Sequence, residues 1–163
     1  MKCNGILLCL IIIHSTLSNT YADVTYKWEG RTYKLIYHAE PWREARELCE
    51  INGAKLAVPK SEEEFLFLQH IVRKMHYPSV IGTRYKLLVW LGISNLDDFK
   101  TWKDVDGQSF NTSFHVWADD YDSEVSDLPD EPHCGGMDAV NYGIRKFWCH
   151  HPQPYICYTE ILT

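Results

Sequence analysis

The sequence lacks any apolar run long enough to cross a bilayer, for which about twenty residues are needed. Its longest unbroken stretch is ILLCLIII, residues 6–13, and the alternative of a membrane anchor fails on that length. The run follows Lys2 and is succeeded by "NTYA" just ahead of Asp23, the pattern of a secretory leader. Residues 1–22 are therefore expected to be removed, leaving 23–163 as a single domain. The sequence also lacks a cluster of Lys and Arg. Without the leader, fifteen basic residues face 22 acidic ones, which disfavours nucleic acid as a partner. No Cys-x-x-Cys pair occurs, so a thiolate zinc site has no support. Neither G-x-S-x-G nor H-E-x-x-H is present, and no acid pair has a setting that would split its pKa values. These gaps exclude the common enzyme classes. Repeats, linkers and low-complexity tracts are missing too.

Present instead are four cysteines beyond the leader: Cys49, Cys134, Cys149 and Cys157. An even number in an oxidising compartment implies two disulfides, and arithmetic leaves all three pairings open. The sequon "NTS" makes Asn111 a glycosylation candidate on an exposed loop.

"VTYKWEGRTYKLIYHA" reads as one or two short strands with a turn at "EGR". A helix then opens near Pro41, with Trp42, Ala45, Cys49 and Leu48 toward one face and Asn52-Gly53 at its end. A second helix begins at Ser61, where Glu64 completes a capping box. Its core positions are Phe65, Leu68, Val72 and Met75, and Glu62, Glu63 and Glu64 read as a solvated first turn. "KLLVWLGISN" is a strand buried on both faces. "FKTWKDVDGQSF" is a hairpin turning at Asp106-Gly107. Residues 111–138 read as loop, and "AVNYGIRKFWC" and "PYICYTEIL" close the chain as strands. Strands, two helices and further strands around a long loop make an α+β domain with a mainly antiparallel sheet.

In this order the motifs resemble the C-type lectin-like domain family. "WREARELCEINGAKLAVPKSEEE" is similar to that family's first helix, first cysteine and passage into the second helix. "VWLGISN" resembles its central strand, and "TWKDVDGQSF" its following hairpin. Within the family, secreted single-domain invertebrate lectins of the insect type look most similar. The resemblance implies the pairing Cys49–Cys157 and Cys134–Cys149. It also implies an extracellular recognition protein taking part in innate immunity. Its ligand would be a glycan or pathogen surface, or else a protein, and a second lectin chain could join it as a homo- or heterodimer. Neither nucleic acid nor membrane is implied as a partner.

Sugar-binding members of the family use a bridging Ca²⁺. Its ligands come from a Glu-Pro-Asn-like triplet in the long loop and an Asn-Asp pair shortly before the third cysteine. Here that pair falls on Arg145 and Lys146, two cations that cannot ligate Ca²⁺. The loop triplet falls near Asp122 by counting from Trp117, or on Glu131-Pro132-His133 by appearance. The resemblance thus implies recognition with weak or absent dependence on the bridging ion. Its ligand-binding candidates are Asp122, Glu131, His133, Arg145 and Lys146. The loop is still rich in carboxylates, and Asp119, Asp120, Asp122, Asp130 and Glu131 are candidates for a structural Ca²⁺. The same acidic loop is expected to lie near Arg145 and Lys146 as an ion-pair cluster. His133, His150 and His151 read as surface residues.

Overall fold

The computed structural model of the chain describes residues 24–77, 87–110, 116–118 and 131–161. Strands β1 (Val24–Trp28) and β2 (Arg31–Glu40) form a hairpin. Its two turn residues, Glu29 and Gly30, both have positive φ, 43° and 74°, which matches the twist of the flanking strands. Helix α1 (Trp42–Ile51), strand β3 (Lys55–Leu56) and helix α2 (Glu62–Arg73) follow. Then come β4 (Val89–Ser94), β5 (Lys103–Asp104), β6 (His133–Met137), β7 (Arg145–Trp148) and β8 (Gln153–Glu160). The sheet runs β1-β2-β8-β4-β6-β7, with β3 attached to β8 and β5 to β4. Among the strands of the described residues, β4 and β8 alone pair in parallel. The α+β expectation holds, with two helices on a mainly antiparallel sheet.

The period-2 pattern of β2 buries Tyr33, Leu35, Tyr37 and Ala39. Tyr33, Leu35 and Tyr37 meet Phe65, Leu68 and Ile71 of α2 in one core. On the other side Trp42, Ala45 and Cys49 of α1 pack with Trp90, Tyr155 and Cys157. Both buried indoles are satisfied: Trp42 Nε1 donates to the Leu91 carbonyl at 2.7 Å and Trp90 Nε1 to the Glu40 carbonyl at 3.0 Å. Gly92 lets the chain beyond β3 come close to β4: its N–H donates to the Ala57 carbonyl at 2.8 Å, and a Cβ there would lie 2.7 Å from the Leu56 carbonyl oxygen. The disulfides are Cys49–Cys157, joining α1 to β8, and Cys134–Cys149, joining β6 to the end of β7.

Pro41 immediately precedes α1, and Gly53 takes up the left-handed φ of 68° past its end. Leu48, however, is 36% exposed and stands beside the buried face. Ser61 Oγ accepts from the Glu64 N–H at 3.2 Å, as a cap should. The return arm differs. Glu64 is buried, and its carboxylate accepts from Lys60 N at 2.9 Å, from Arg31 Nη1 at 2.9 Å and from the Tyr33 hydroxyl. Of the acidic trio only Glu62 and Glu63 are solvated.

The largest departure is β6, in a stretch read as loop. "HCGGM" has little β propensity. It forms a strand because Gly135 and Gly136 admit the close approach of β4: a Cβ at Gly136 would lie 3.2 Å from the Val89 carbonyl oxygen. Conversely, residues 139–143 are turn, not strand, and β7 starts only at Arg145.

Candidate functional site

The long loop leaves the described fold after residue 118 and returns at 131, and both legs are fastened. On the outgoing leg, Ile144 N–H donates to the Val116 carbonyl at 2.7 Å and Ala118 N–H to the Ile144 carbonyl at 2.9 Å. Gly143 makes this crossing possible. Its φ is 103°, and a Cβ there would meet Ala118 Cα at 2.5 Å. On the returning leg, the buried Asn95 accepts from His133 N at 2.7 Å and donates to the Phe99 carbonyl at 2.9 Å. Its own N–H donates to the His133 carbonyl at 3.0 Å. The Cys134–Cys149 bridge ties the same mouth covalently.

Strand β7 alternates across this mouth. Arg145 and Phe147 are buried on one face, while Lys146 and Trp148 are partly exposed on the other. Lys146 Nζ lies 5.1 Å from the ring centroid of Trp117. Trp117 meets Trp102 edge-on at 4.6 Å and Phe110 at 5.2 Å. This is a cation on a half-buried aromatic cluster, an arrangement worth more where water is excluded. His133 sits beside it, opposite Trp148 in register. Burial lowers its pKa and the Lys146 charge adds to that, while Glu131 pulls the other way. Among the described residues, His133 Nε2 is buried without a hydrogen-bond partner.

Arg145 turns away from this face. It is 4% exposed, with Nε 2.5 Å from Asp138 Oδ2. Asp138 also accepts from the N–H groups of Val140, at 2.8 Å, and Asn141, at 2.6 Å. Burial pushes the Asp138 pKa up, but the Asn141 and Val140 hydrogen bonds and the Arg145 charge outweigh it, and the net shift is downward.

Of the sequence candidates, Glu131, His133 and Lys146 come together at the loop mouth, and Arg145 does not join them. The carboxylate that meets Arg145 among the described residues is Asp138, outside the acidic run. Asn111, Asp119, Asp120, Asp122 and Asp130 lie outside the described residues. Among those described, no three His, Cys, Asp or Glu side chains gather as a metal site. The Arg145-Lys146 pair does not fit calcium's need for oxygen donors: one is a buried cation already on a carboxylate, the other a cation over the Trp117 ring. Trp117, Asn95, Gly143 and Asp138 were not assigned site roles from sequence. The pattern Asp138-x-x-Asn141, a side chain-capped turn, was the available signal for the last.

A two-helix α+β fold, a long loop entered and left at one mouth, and these two disulfides define a C-type lectin-like domain. The chain matches the Lectin C-type domain over residues 38–159 and belongs to that family. Curated relatives include asialoglycoprotein receptor 1 of Rattus norvegicus, 27% identical over 139 residues, and C-type lectin domain family 10 member A of Homo sapiens, 28% identical over 129. These matches take in 83% and 77% of this chain but only 43% and 35% of the relatives, so the chain spans less than half their length. Among solved structures, the mouse scavenger receptor C-type lectin carbohydrate-recognition domain superposes with a TM-score of 0.67 at 18% identity, covering 85% of this chain and 95% of that one. A calcium-independent type II antifreeze protein gives 0.63 at 22% identity, covering 86% and 98%. No helix among the described residues is long and apolar enough to cross a membrane.

Proposed function

We propose that the chain is a secreted recognition protein that binds a glycan or pathogen surface through the long-loop mouth, without a sugar-bridging Ca²⁺. The observation that carries this reading is β7. At the two positions that would donate oxygens to the ion stand Arg145, paired with Asp138, and Lys146, over Trp117. An ammonium on an aromatic face offers donors and a flat apolar surface, which suits hydroxyl-bearing rings and protein surfaces alike. The solved relatives include an antifreeze protein described as calcium-independent and another as Ca²⁺-dependent, so one scaffold serves both modes in those proteins. Kinship with invertebrate single-domain lectins, a role in innate immunity and glycosylation at Asn111 belong to the same proposal. A glycan array probed with and without EDTA tests it, together with Lys146→Ala and Trp117→Ala. Binding should survive EDTA and fall in both variants. Binding abolished by EDTA, or untouched by either substitution, contradicts it. A protein ligand is the alternative, favoured if no glycan binds while Lys146 variants still lose a purified protein partner.

A further inference from the structure

The turn between β6 and β7 is held from two sides. From α2, Gln69 Nε2 donates to the Asn141 carbonyl at 2.7 Å and Arg73 Nε to the Ala139 carbonyl at 2.9 Å. From within the turn, Asp138 accepts the Val140 and Asn141 N–H groups. These backbone bonds are thereby taken up inside the protein, and Val140 is left projecting, 80% exposed. Beside it opens a cavity of about 300 Å³. Leu87, Leu88 and Phe147 form its apolar wall, and Tyr77 and Val140 also line it. Leu88 and Phe147 are buried, and the Leu88 N–H is fixed on the Gln153 side chain at 2.9 Å, so the wall is anchored in the core.

Two charged groups line the same cavity, Asp138 and the buried Arg145. A carboxylate offers about four lone-pair positions. On Asp138 four donors occupy them: the Val140 and Asn141 N–H groups on Oδ1, and Asn141 Nδ2, at 3.0 Å, with Arg145 Nε on Oδ2. Asp138 has no further acceptor to offer. Arg145 carries a fork of five N–H donors, of which Nε is the one on Asp138. Burial and the Asp138 charge both raise the Tyr77 pKa, so its phenol too stays a donor. Polar recognition in this cavity therefore falls to donors and calls for an acceptor. Charge narrows the choice. Arg145 and Asp138 already offset each other, and a further buried anion would lie uncompensated beside the Asp138 carboxylate.

We propose that this cavity is a binding site for a small uncharged ligand, an apolar body carrying a carbonyl or similar acceptor. The acceptor bonds to the Arg145 guanidinium, and the apolar body lies on Leu87, Leu88 and Phe147. At about 30 Å³ for each water-sized group, the cavity takes roughly ten non-hydrogen atoms. Its volume is at the lower end for small-molecule sites, and apolar walls with a few placed polar groups are their usual make-up. The site is distinct from the loop mouth. Arg145 and Lys146 lie on opposite faces of β7, and neither Trp117 nor Lys146 is among the described residues that line the cavity.

Titration of the isotope-labelled leaderless chain with acetophenone and, separately, with benzoate tests the site by NMR. Both probes present a benzene ring and an acceptor, and only benzoate is charged. Acetophenone should shift the Val140 and Asn141 amide signals and the Arg145 Nε–H signal saturably, with a dissociation constant of about a millimolar. Benzoate should bind about tenfold more weakly or worse. Val140→Trp fills the rim from an exposed position and should abolish the acetophenone shifts. Arg145→Lys keeps a cation beside Asp138 but loses the fork, and should weaken acetophenone by about tenfold. Circular dichroism checks that each variant is folded, and Val140→Trp decides alone if Arg145→Lys is not. Absence of a saturable shift, benzoate binding as tightly as acetophenone, or shifts that survive Val140→Trp would overturn the proposal, as would unchanged affinity in folded Arg145→Lys. No glycan enters these readouts, so failure of the recognition reading would leave the site standing.

Discussion

At the scale of single residues, buried charge decides the most. Glu64 holds Arg31, the Tyr33 hydroxyl and the Lys60 N–H together between β2 and α2. Burial raises the Tyr33 pKa, and the Glu64 hydrogen bond raises it further, so the phenol stays a donor at all ordinary pH. Glu64→Ala would leave those donors orphaned at once. The expected loss is about 3 kcal/mol in urea melts, toward the low end for a broken buried pair because Arg31 keeps some contact with water. A loss below about 1 kcal/mol would mean the network contributes little. Asp138 makes a pH prediction. Its folded pKa lies below the ordinary aspartate value, so the unfolded chain takes up the proton first as pH falls. The contribution is fully present above about pH 4 and is lost as pH drops through the lowered folded value. Asp98, held down to about 2 mainly by hydrogen bonds from Thr101, adds in the same window. Melting temperature against pH should therefore fall less steeply below pH 4 in Asp138→Asn than in wild type, from a lower plateau at neutral pH. An unchanged slope would contradict the lowered Asp138 pKa. Gly143→Ala should cost more than about 2 kcal/mol, from a left-handed φ and a backbone collision together. Hydrogen exchange at Ala118 and Ile144 should rise with it, and unchanged protection there would refute the crossing.

At the scale of elements, what was legible followed local rules. Both helices could be read because their apolar spacing, Pro41, Ser61 and Asn52-Gly53 agree with one another. Strand β6 could not, because its reason is tertiary: two glycines without β propensity are placed there by the nearness of β4. The turn at 139–143 was hidden for the converse reason, since Asp138 captures the N–H groups of Val140 and Asn141 and ends the ladder. The two bridges have different expected weights. Cys49–Cys157 closes a separation of 108 residues, whereas Cys134–Cys149 closes 15 between strands already paired at Cys134 and Phe147. Chain entropy assigns about 5 and about 3 kcal/mol respectively. Removing the first pair should cost more in denaturant melts than removing the second, and equal or reversed losses would refute the ranking.

At the scale of the whole molecule, family and architecture were legible because they rest on the order of many weak signals. The site was legible in part. The position of Arg145 and Lys146 before Cys149 was visible in sequence. Their separation onto opposite faces of β7 follows from strand alternation, and Asp138 as the partner of Arg145 follows from a turn that sequence reading had taken for strand. Calorimetric titration of mannose and of galactose, run in millimolar Ca²⁺ and again in chelator, tests recognition without bridging calcium most directly. Lys146 over Trp117, and Arg145 on Asp138, predict no calcium-dependent difference between the two runs for either sugar. A sub-millimolar sugar affinity that vanishes with chelator and returns with Ca²⁺ would contradict it.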